Sequence, residues 1–102
     1  MMCAVTVRAI KPGAYEAFRR AWEPDPWPSE LQRVVVSRNG EDPDQILTAS
    51  FFDVGPEELD RRRDDPSLLG AEEARVRRVA EHVDHVVFKG IFEVVEELAA
   101  PH

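Results

Sequence analysis

The 102-residue chain carries a formal net charge of −7 and is 43% hydrophobic and 32% charged. This size and balance are those of one soluble domain built around one core. The acidic balance argues against nucleic acid as a partner, because phosphate binding depends on lysine and arginine clustered on one face. The basic run Arg61-Arg62-Arg63 is followed at once by Asp64 and Asp65, which indicates a solvated helix end.

Cys3 is the only cysteine, so no disulfide can form within the chain. In a strand, such a thiol is usually a small buried hydrophobe. The alternating first residues include Arg8 and are too short and too charged for a signal peptide, and no apolar run reaches the length of a membrane span. We therefore expect a cytoplasmic protein that has no membrane partner.

The first residues predict a strand followed by an aromatic helix. Residues 2–10 alternate with a period of two and predict strand 1. Lys11-Pro12-Gly13 breaks this strand, after which Tyr15, Phe18 and Trp22 recur at helical spacing and predict helix 1. Three prolines between residues 22 and 28 exclude helix and sheet there and predict a loop.

The middle of the chain predicts a hairpin and a short helix. Residues 31–38 and 45–53 are strands 2 and 3, joined by a turn rich in Asn, Gly, Asp and Pro. The sequence Gly55-Pro56-Glu57-Glu58 is typical of the start of a helix, since proline suits the first turn and acids favour the positive end of the dipole. Helix 2 is predicted to end near Arg63.

The last part predicts a longer helix and a closing strand. Helix 3 begins near Pro66, and its apolar face is predicted to consist of Leu69, Val76, Val79, Ala80 and Val83. Strand 4 is predicted over residues 85–95. The domain would then span residues 1–95, followed by a tail of residues 96–102.

The order β, α, β, β, α, β is the split βαβ arrangement, in which right-handed crossovers place both helical connections on one face of an antiparallel sheet. The other face is left bare, yet strand 4 is apolar on both sides. One side carries Val86, Phe88, Phe92 and Val94, and the other carries Val87, Ile91 and Val95 beside His85, Lys89 and Glu93. In a sheet with one solvent-exposed face, apolar and polar residues alternate more regularly along each strand. We therefore predict a homodimer that covers the second face.

With these features the sequence resembles the dimeric α/β-barrel superfamily, and within it the antibiotic-biosynthesis-monooxygenase-like proteins. The resemblance spans residues 2–95. Its carriers are the opening strand leading through Lys11-Pro12-Gly13 into an aromatic helix, the hairpin, Phe51-Phe52-Asp53 leading to Gly55-Pro56-Glu57-Glu58-Leu59, and the closing run Val86-Val87-Phe88-Lys89-Gly90-Ile91-Phe92-Glu93. It implies an α+β, ferredoxin-like fold with a four-stranded antiparallel sheet, helices on one face and a dimeric α/β barrel.

The resemblance also implies a pocket between sheet and helices. Members include cofactor-independent oxygenases of aromatic polyketides, haem-degrading enzymes, isomerases and decarboxylases. The oxygenase and haem-degrading members typically place an Asn and a Trp a few residues apart near the pocket, whereas Asn39, in a predicted turn, is the only asparagine here. Neither catalytic pattern carries over to this chain.

Six side chains are candidates for such a pocket. Arg8 could bind a carboxylate or phenolate, His85 could act as a base near neutral pH, and Tyr15 could donate a hydrogen bond to a substrate oxygen. Thr6, Trp22 and Lys89 complete the set as substrate-binding candidates. The alternative to a pocket role is that Tyr15 and Trp22 pack in the core, while the side chains of Arg8 and Lys89 reach into solvent.

Two further patterns have structural explanations. His82, Asp84 and His85 are three possible metal ligands in four positions. Adjacent residues entering a strand point to opposite faces, so a turn residue and a helix end are preferred over a metal site. Trp27, in the proline-rich loop, could close a pocket mouth or pack against a partner subunit.

Two functions follow as hypotheses. The first is an enzyme without a tightly bound cofactor, a monooxygenase or isomerase of a small aromatic or polyketide-like compound. The second is a non-enzymatic dimer whose pocket holds a hydrophobic metabolite or is filled by Tyr15, Phe18 and Trp22. Open space beside Arg8 and His85 would favour the first.

Overall fold

Four strands and three helices follow one another in residues 1–101, which the computed structural model describes apart from the side chains of Arg63 and residues 67–69. They are β1 (Met2–Ile10), α1 (Tyr15–Trp22), β2 (Leu31–Arg38), β3 (Gln45–Phe52), α2 (Pro56–Arg63), α3 (Pro66–Ala80) and β4 (Val83–Glu93). The strands form one antiparallel sheet in the order β2-β3-β1-β4. The predicted ferredoxin-like α+β fold is thereby confirmed. No helix in residues 1–101 is long and apolar enough to cross a membrane.

A tight turn links β1 to α1. Gly13 has a φ of 73°, a left-handed conformation that a side chain would disfavour. The backbone N–H of Ala14 donates to the carbonyl of Lys11 at 3.0 Å, which closes the turn. The backbone N–H of Lys11 also donates to the carbonyl of His82 at 2.9 Å. This bond ties the start of α1 to the end of α3.

The boundaries of the last two elements differ from those predicted. The N–H of His82 donates to the carbonyl of Val79 at 3.0 Å, so α3 ends at Ala80 and His82 lies in a turn after it. Val83 pairs with Ile10 and is the first residue of β4, not part of the helix face. β4 therefore starts and ends two residues earlier than expected, and β3 ends one residue earlier, at Phe52.

The core lies between α1, α3 and the sheet. Its buried members are Ile10, Phe18, Trp22, Ile46 and Val79, with Phe18 and Ile46 fully enclosed. Burying each such side chain stabilises the fold by about 1.5–3 kcal/mol. Leu69, which was predicted to join this face, has a side chain outside the described residues. Val76 was predicted to face the core as well, but it is 55% exposed.

The face of the sheet that lies opposite the helices is apolar. The strand register brings Val5 beside Ala49 and Val35, because directly paired residues project from the same face. We call this surface the bare face; its apolar members are Cys3, Val5, Val7, Ala9, Val35, Leu47, Ala49, Phe51, Phe88 and Phe92, and the same register places the polar residues Arg33, Ser37, Gln45 and His85 at its edges. Phe88 and Phe92 are 46% and 49% exposed.

Phe88 and Phe92 stack across Gly90, with ring centroids 6.1 Å apart. A Cβ at Gly90 would lie 3.1 Å from an atom of each ring, so glycine allows the rings this close approach. The bare face of β4 is therefore a continuous aromatic surface.

A register shift in β4 changes which side chains share a face. Between Val7 and Arg8 the pairing with β4 slips, so that Phe88 lies opposite Val7 while Val86 lies opposite Arg8. A bulge of this kind places an extra residue in one strand and reverses the alternation beyond it. Val86, which was predicted to share a face with Phe88, therefore shares the helix-covered face with Arg8.

Candidate ligand-binding site

An open cavity of about 300 Å³ lies between α3 and the strands β1 and β4. We call it the α3 cavity; its lining residues are Thr6, Arg8, Arg75, Val76, Val79, Ala80, Val83, Asp84, His85, Val86 and Lys89. Four of the six site residues proposed from the sequence are among them, namely Thr6, Arg8, His85 and Lys89. Thr6 and Lys89 come together because β1 and β4 are paired with these two residues opposite each other, whereas His85 pairs with Ala9 of the bare face and borders the cavity at the edge of the sheet.

Arg8 is a half-buried cation of the α3 cavity. One guanidinium nitrogen donates to the hydroxyl of Thr48 at 3.2 Å, and the group lies 5.6 Å from the centre of the Phe18 ring. Desolvation by burial lowers the pKa of Arg8, and the nearby charge of Arg75 lowers it further. Arginine nevertheless stays charged in proteins. The structure thus holds a fixed positive charge beside the cavity.

Arg75 extends into the same cavity from α3 and was not among the residues proposed from the sequence. Its guanidinium binds both carboxylate oxygens of Glu72 at 2.5 and 3.1 Å. It also donates to the carbonyl of Trp22 at 3.2 Å and lies 5.2 Å from the centre of that ring. A sequence signal existed, because Arg75 precedes the buried Val79 by four residues and so lies on the same helix face.

His85 and Lys89 line the cavity from the edge strand β4. The His85 ring lies 3.1 Å from a carboxylate oxygen of Asp84, a contact that can orient the ring. The two side chains are 63% and 71% exposed, so water weakens this pair. Lys89 is exposed as well. The β4 side of the cavity is therefore open to solvent, whereas the Arg8 side is enclosed.

Tyr15 and Trp22, the other two residues proposed from the sequence, do not line the α3 cavity. Tyr15 packs against the core, with the guanidinium of Arg38 4.8 Å from its ring centre. Trp22 is buried in the core and stands edge to face with Trp27 at 6.3 Å. The core role weighed for both residues describes their positions in the structure.

A second cavity of about 390 Å³ lies between the end of α1, the proline-rich loop and β2. Its lining consists of Arg19, Trp22, Trp27, Leu31, Gln32, Arg33, Val34 and Val36. The loop turns through a cis peptide bond between Asp25 and Pro26. None of the catalytic residues proposed from the sequence reaches this second cavity.

Solved structures share this fold over nearly the whole chain. A Chloroflexus aurantiacus protein provisionally assigned as an antibiotic biosynthesis monooxygenase matches with a TM-score of 0.69 at 17% identity, over 96% of each chain. A Nitrosomonas europaea protein with the same provisional assignment matches with a TM-score of 0.65 at 13% identity, over 94% of this chain and 100% of its own. An uncharacterised NIPSNAP domain protein from Burkholderia xenovorans matches with a TM-score of 0.59 at 13% identity, over 100% of both chains.

These likenesses define the class of fold: the chain has the ferredoxin-like α+β fold that these solved structures share. More narrowly, its fold is that of antibiotic-biosynthesis-monooxygenase-like proteins, which confirms the resemblance seen in the sequence. Neither the protein-family models nor the curated proteins give a match to the sequence. Identities this low establish the fold, and the activity has to be argued from the cavity.

Proposed function

We propose that this protein is a cytoplasmic homodimer that binds a small aromatic compound in the α3 cavity and converts it as a cofactor-independent monooxygenase or isomerase. The neighbouring structures assigned as monooxygenases support this reaction class. The dimer is supported by the bare face, and the cytoplasmic location is compatible with the buried free thiol of Cys3.

The observation that carries the proposal is open space beside Arg8 and His85. Phe18 and Trp22 fill the part of the interior next to α1, yet they leave the α3 side unfilled. A volume of about 300 Å³ is at the lower end for ligand pockets. The ligand is therefore expected to be a compound with one aromatic ring.

The two reaction types share a first step that this cavity could assist. Each begins when a proton leaves an acidic phenol or enol, and the negative charge that develops is stabilised by a nearby cation. In our proposal Arg8 provides that charge and His85, oriented by Asp84, accepts the proton. An isomerase then delivers the proton to a carbon of the enolate, which gives the keto tautomer. In a monooxygenase the anion passes an electron to dioxygen and the two radicals combine into a peroxide. Loss of water from this peroxide leaves one oxygen atom on the substrate as a carbonyl, so the substrate itself supplies all four electrons.

Turnover of a panel of small phenols and enols in air tests the proposal, with dioxygen uptake and product mass as the measurements. For a compound that is turned over, His85→Ala is expected to lower kcat by about 10²–10⁴-fold, the usual contribution of a general base. His82→Ala is the matched control, because His82 lies in the turn after α3 and does not line the cavity. Equal losses in both variants would remove His85 from its proposed role.

A non-enzymatic binding protein is the second candidate function. The exposure of the His85 and Asp84 side chains favours it, because a solvated pair is a weak catalytic unit. Binding of aromatic compounds in the α3 cavity without turnover of any of them would establish this second function and exclude the first.

A further inference from the structure

The α3 cavity is positively charged in a protein that is acidic overall. Among the described residues, its lining includes the cations Arg8, Arg75 and Lys89 together with His85 and one carboxylate, that of Asp84. Glu72, outside the lining, pairs with Arg75. The chain as a whole has a net charge of −7. On the enclosed side of the cavity, neighbouring cations cost free energy through mutual repulsion and desolvation, unless an anion joins them.

Arg8 is a half-buried cation of this lining whose hydrogen-bond partner is neutral. Among the side chains that the structure describes, its only polar partner is the hydroxyl of Thr48, which is neutral. No carboxylate in the same set lies within ion-pair distance of Arg8, and Glu72 acts on it only from further away. The remaining guanidinium N–H groups are therefore free to bind an anion in the cavity that Arg8 lines.

Arg75 is held in place before any ligand arrives. Glu72 takes two of its nitrogens, and the carbonyl and ring of Trp22 fix the third side of the group. A side chain immobilised in this way loses little conformational freedom on binding. The charge of Arg75 is close enough to Arg8 to lower the pKa of Arg8. Two guanidinium groups thus lie near one another beside the same cavity.

We propose that the α3 cavity is a carboxylate site, in which Arg8 and Arg75 bind the carboxylate of a small aromatic acid while Val79 and Val83 contact its ring. The planar fork of a guanidinium matches a carboxylate with two parallel hydrogen bonds, and Arg8 provides this fork. The fork of Arg75 is taken by Glu72, so Arg75 adds one of its remaining N–H groups. The apolar residues on α3 and β4 line the same cavity and provide the surface for the ring. This inference rests on the proposed use of the cavity as the binding site, and it specifies the ligand class.

Two compounds that differ in one group provide the test. 4-Hydroxybenzoate and 4-hydroxybenzamide have the same ring and hydroxyl, but only the first carries a charge. Isothermal titration at low salt is expected to show the acid binding about tenfold more tightly or better, the effect of one hydrogen bond between charged groups. The preference should shrink as salt is added, because the interaction is between charges.

Variants assign the preference to residues. Arg8→Gln is expected to reduce the affinity for the acid to that for the amide, and Arg75→Gln is expected to reduce it in part. The affinity for the amide should stay the same in both variants. Arg77→Gln is the matched control, because Arg77 is an exposed arginine two positions further along the same helix. Circular dichroism shows whether each variant is folded. If Arg8→Gln does not fold, the salt dependence of the acid preference in the unsubstituted protein tests the carboxylate site.

The possible outcomes separate this inference from the proposed function. Equal affinity for acid and amide would overturn the carboxylate site and leave the cavity as a binding site. A preference for the acid that survives both substitutions would show that other residues hold the anion. Displacement of the acid by equimolar inorganic phosphate would mean that the site selects any small anion. Failure of both compounds to bind at millimolar concentration would contradict the use of the cavity itself.

Discussion

Replacing Phe92 with alanine tests the homodimer proposed from the bare face. The ring lies on the side of β4 that faces away from the helices and stacks on Phe88 at 6.1 Å. It is 49% exposed in the single chain. In a dimer formed by two bare faces it would be buried, so its removal should weaken association much more than it weakens the fold of one subunit.

The magnitude follows from the exposed area. A phenylalanine side chain has about 200 Å² of surface, so about 100 Å² of Phe92 is available to a partner. At about 25 cal/mol per Å², burying it stabilises by about 2.5 kcal/mol. A two-fold dimer contains the ring twice, so the upper estimate is about 5 kcal/mol, and incomplete burial lowers this to about 2–5 kcal/mol. The dissociation constant should therefore rise by about 30- to 5000-fold.

Sedimentation equilibrium over a range of concentrations measures the dissociation constant directly. Val76→Ala is the matched control, because Val76 is similarly exposed at 55% but lies on α3, on the other side of the sheet. The control should leave the dimer unchanged. A monomeric unsubstituted protein at micromolar concentration would refute a dimer formed by two bare faces. The same conclusion would follow if Phe92→Ala had the same dissociation constant as the unsubstituted protein.

Two further predictions concern stability. Gly13→Ala should cost about 1–2 kcal/mol because of the left-handed φ of 73°, whereas Gly40→Ala, at a position where a Cβ meets nothing within 4 Å, should cost much less; thermal melts of both variants measure the difference. Burial raises the pKa of the Cys3 thiol, an effect that the charge of Arg33 partly offsets. The folded state therefore binds the Cys3 thiol proton more tightly than the unfolded state does. The resulting contribution to the free energy of unfolding is fully present below the ordinary thiol pKa of about 8.5 and is lost as the pH rises through the raised pKa. Urea unfolding at neutral and alkaline pH should show this loss in the unsubstituted protein and not in Cys3→Ala.

The strands and the order of elements could be predicted from the sequence because their signals are local. The alternation of β1 and β2 predicted their bounds correctly, as Met2–Ile10 and Leu31–Arg38. The start of β4 could not be predicted in the same way, since Val83 joins the sheet by pairing with Ile10, which is distant in sequence. The face of Val86 likewise depends on a register shift that exists only once β1 and β4 have paired.

In the candidate site, too, some residues could be predicted from local sequence and others depend on tertiary contacts. Thr6, Arg8, His85 and Lys89 could be proposed as neighbours because the order of elements by itself implies that the first and last strands pair. That Arg75 joins them, and that Tyr15 and Trp22 lie apart from them, depends on which side of each helix turns inward. Residue types and spacing determine helices and strands through near neighbours, whereas the contents of a cavity depend on packing between segments far apart in the chain. Only the tertiary structure could therefore place Arg75 beside Arg8 and leave the space next to them open.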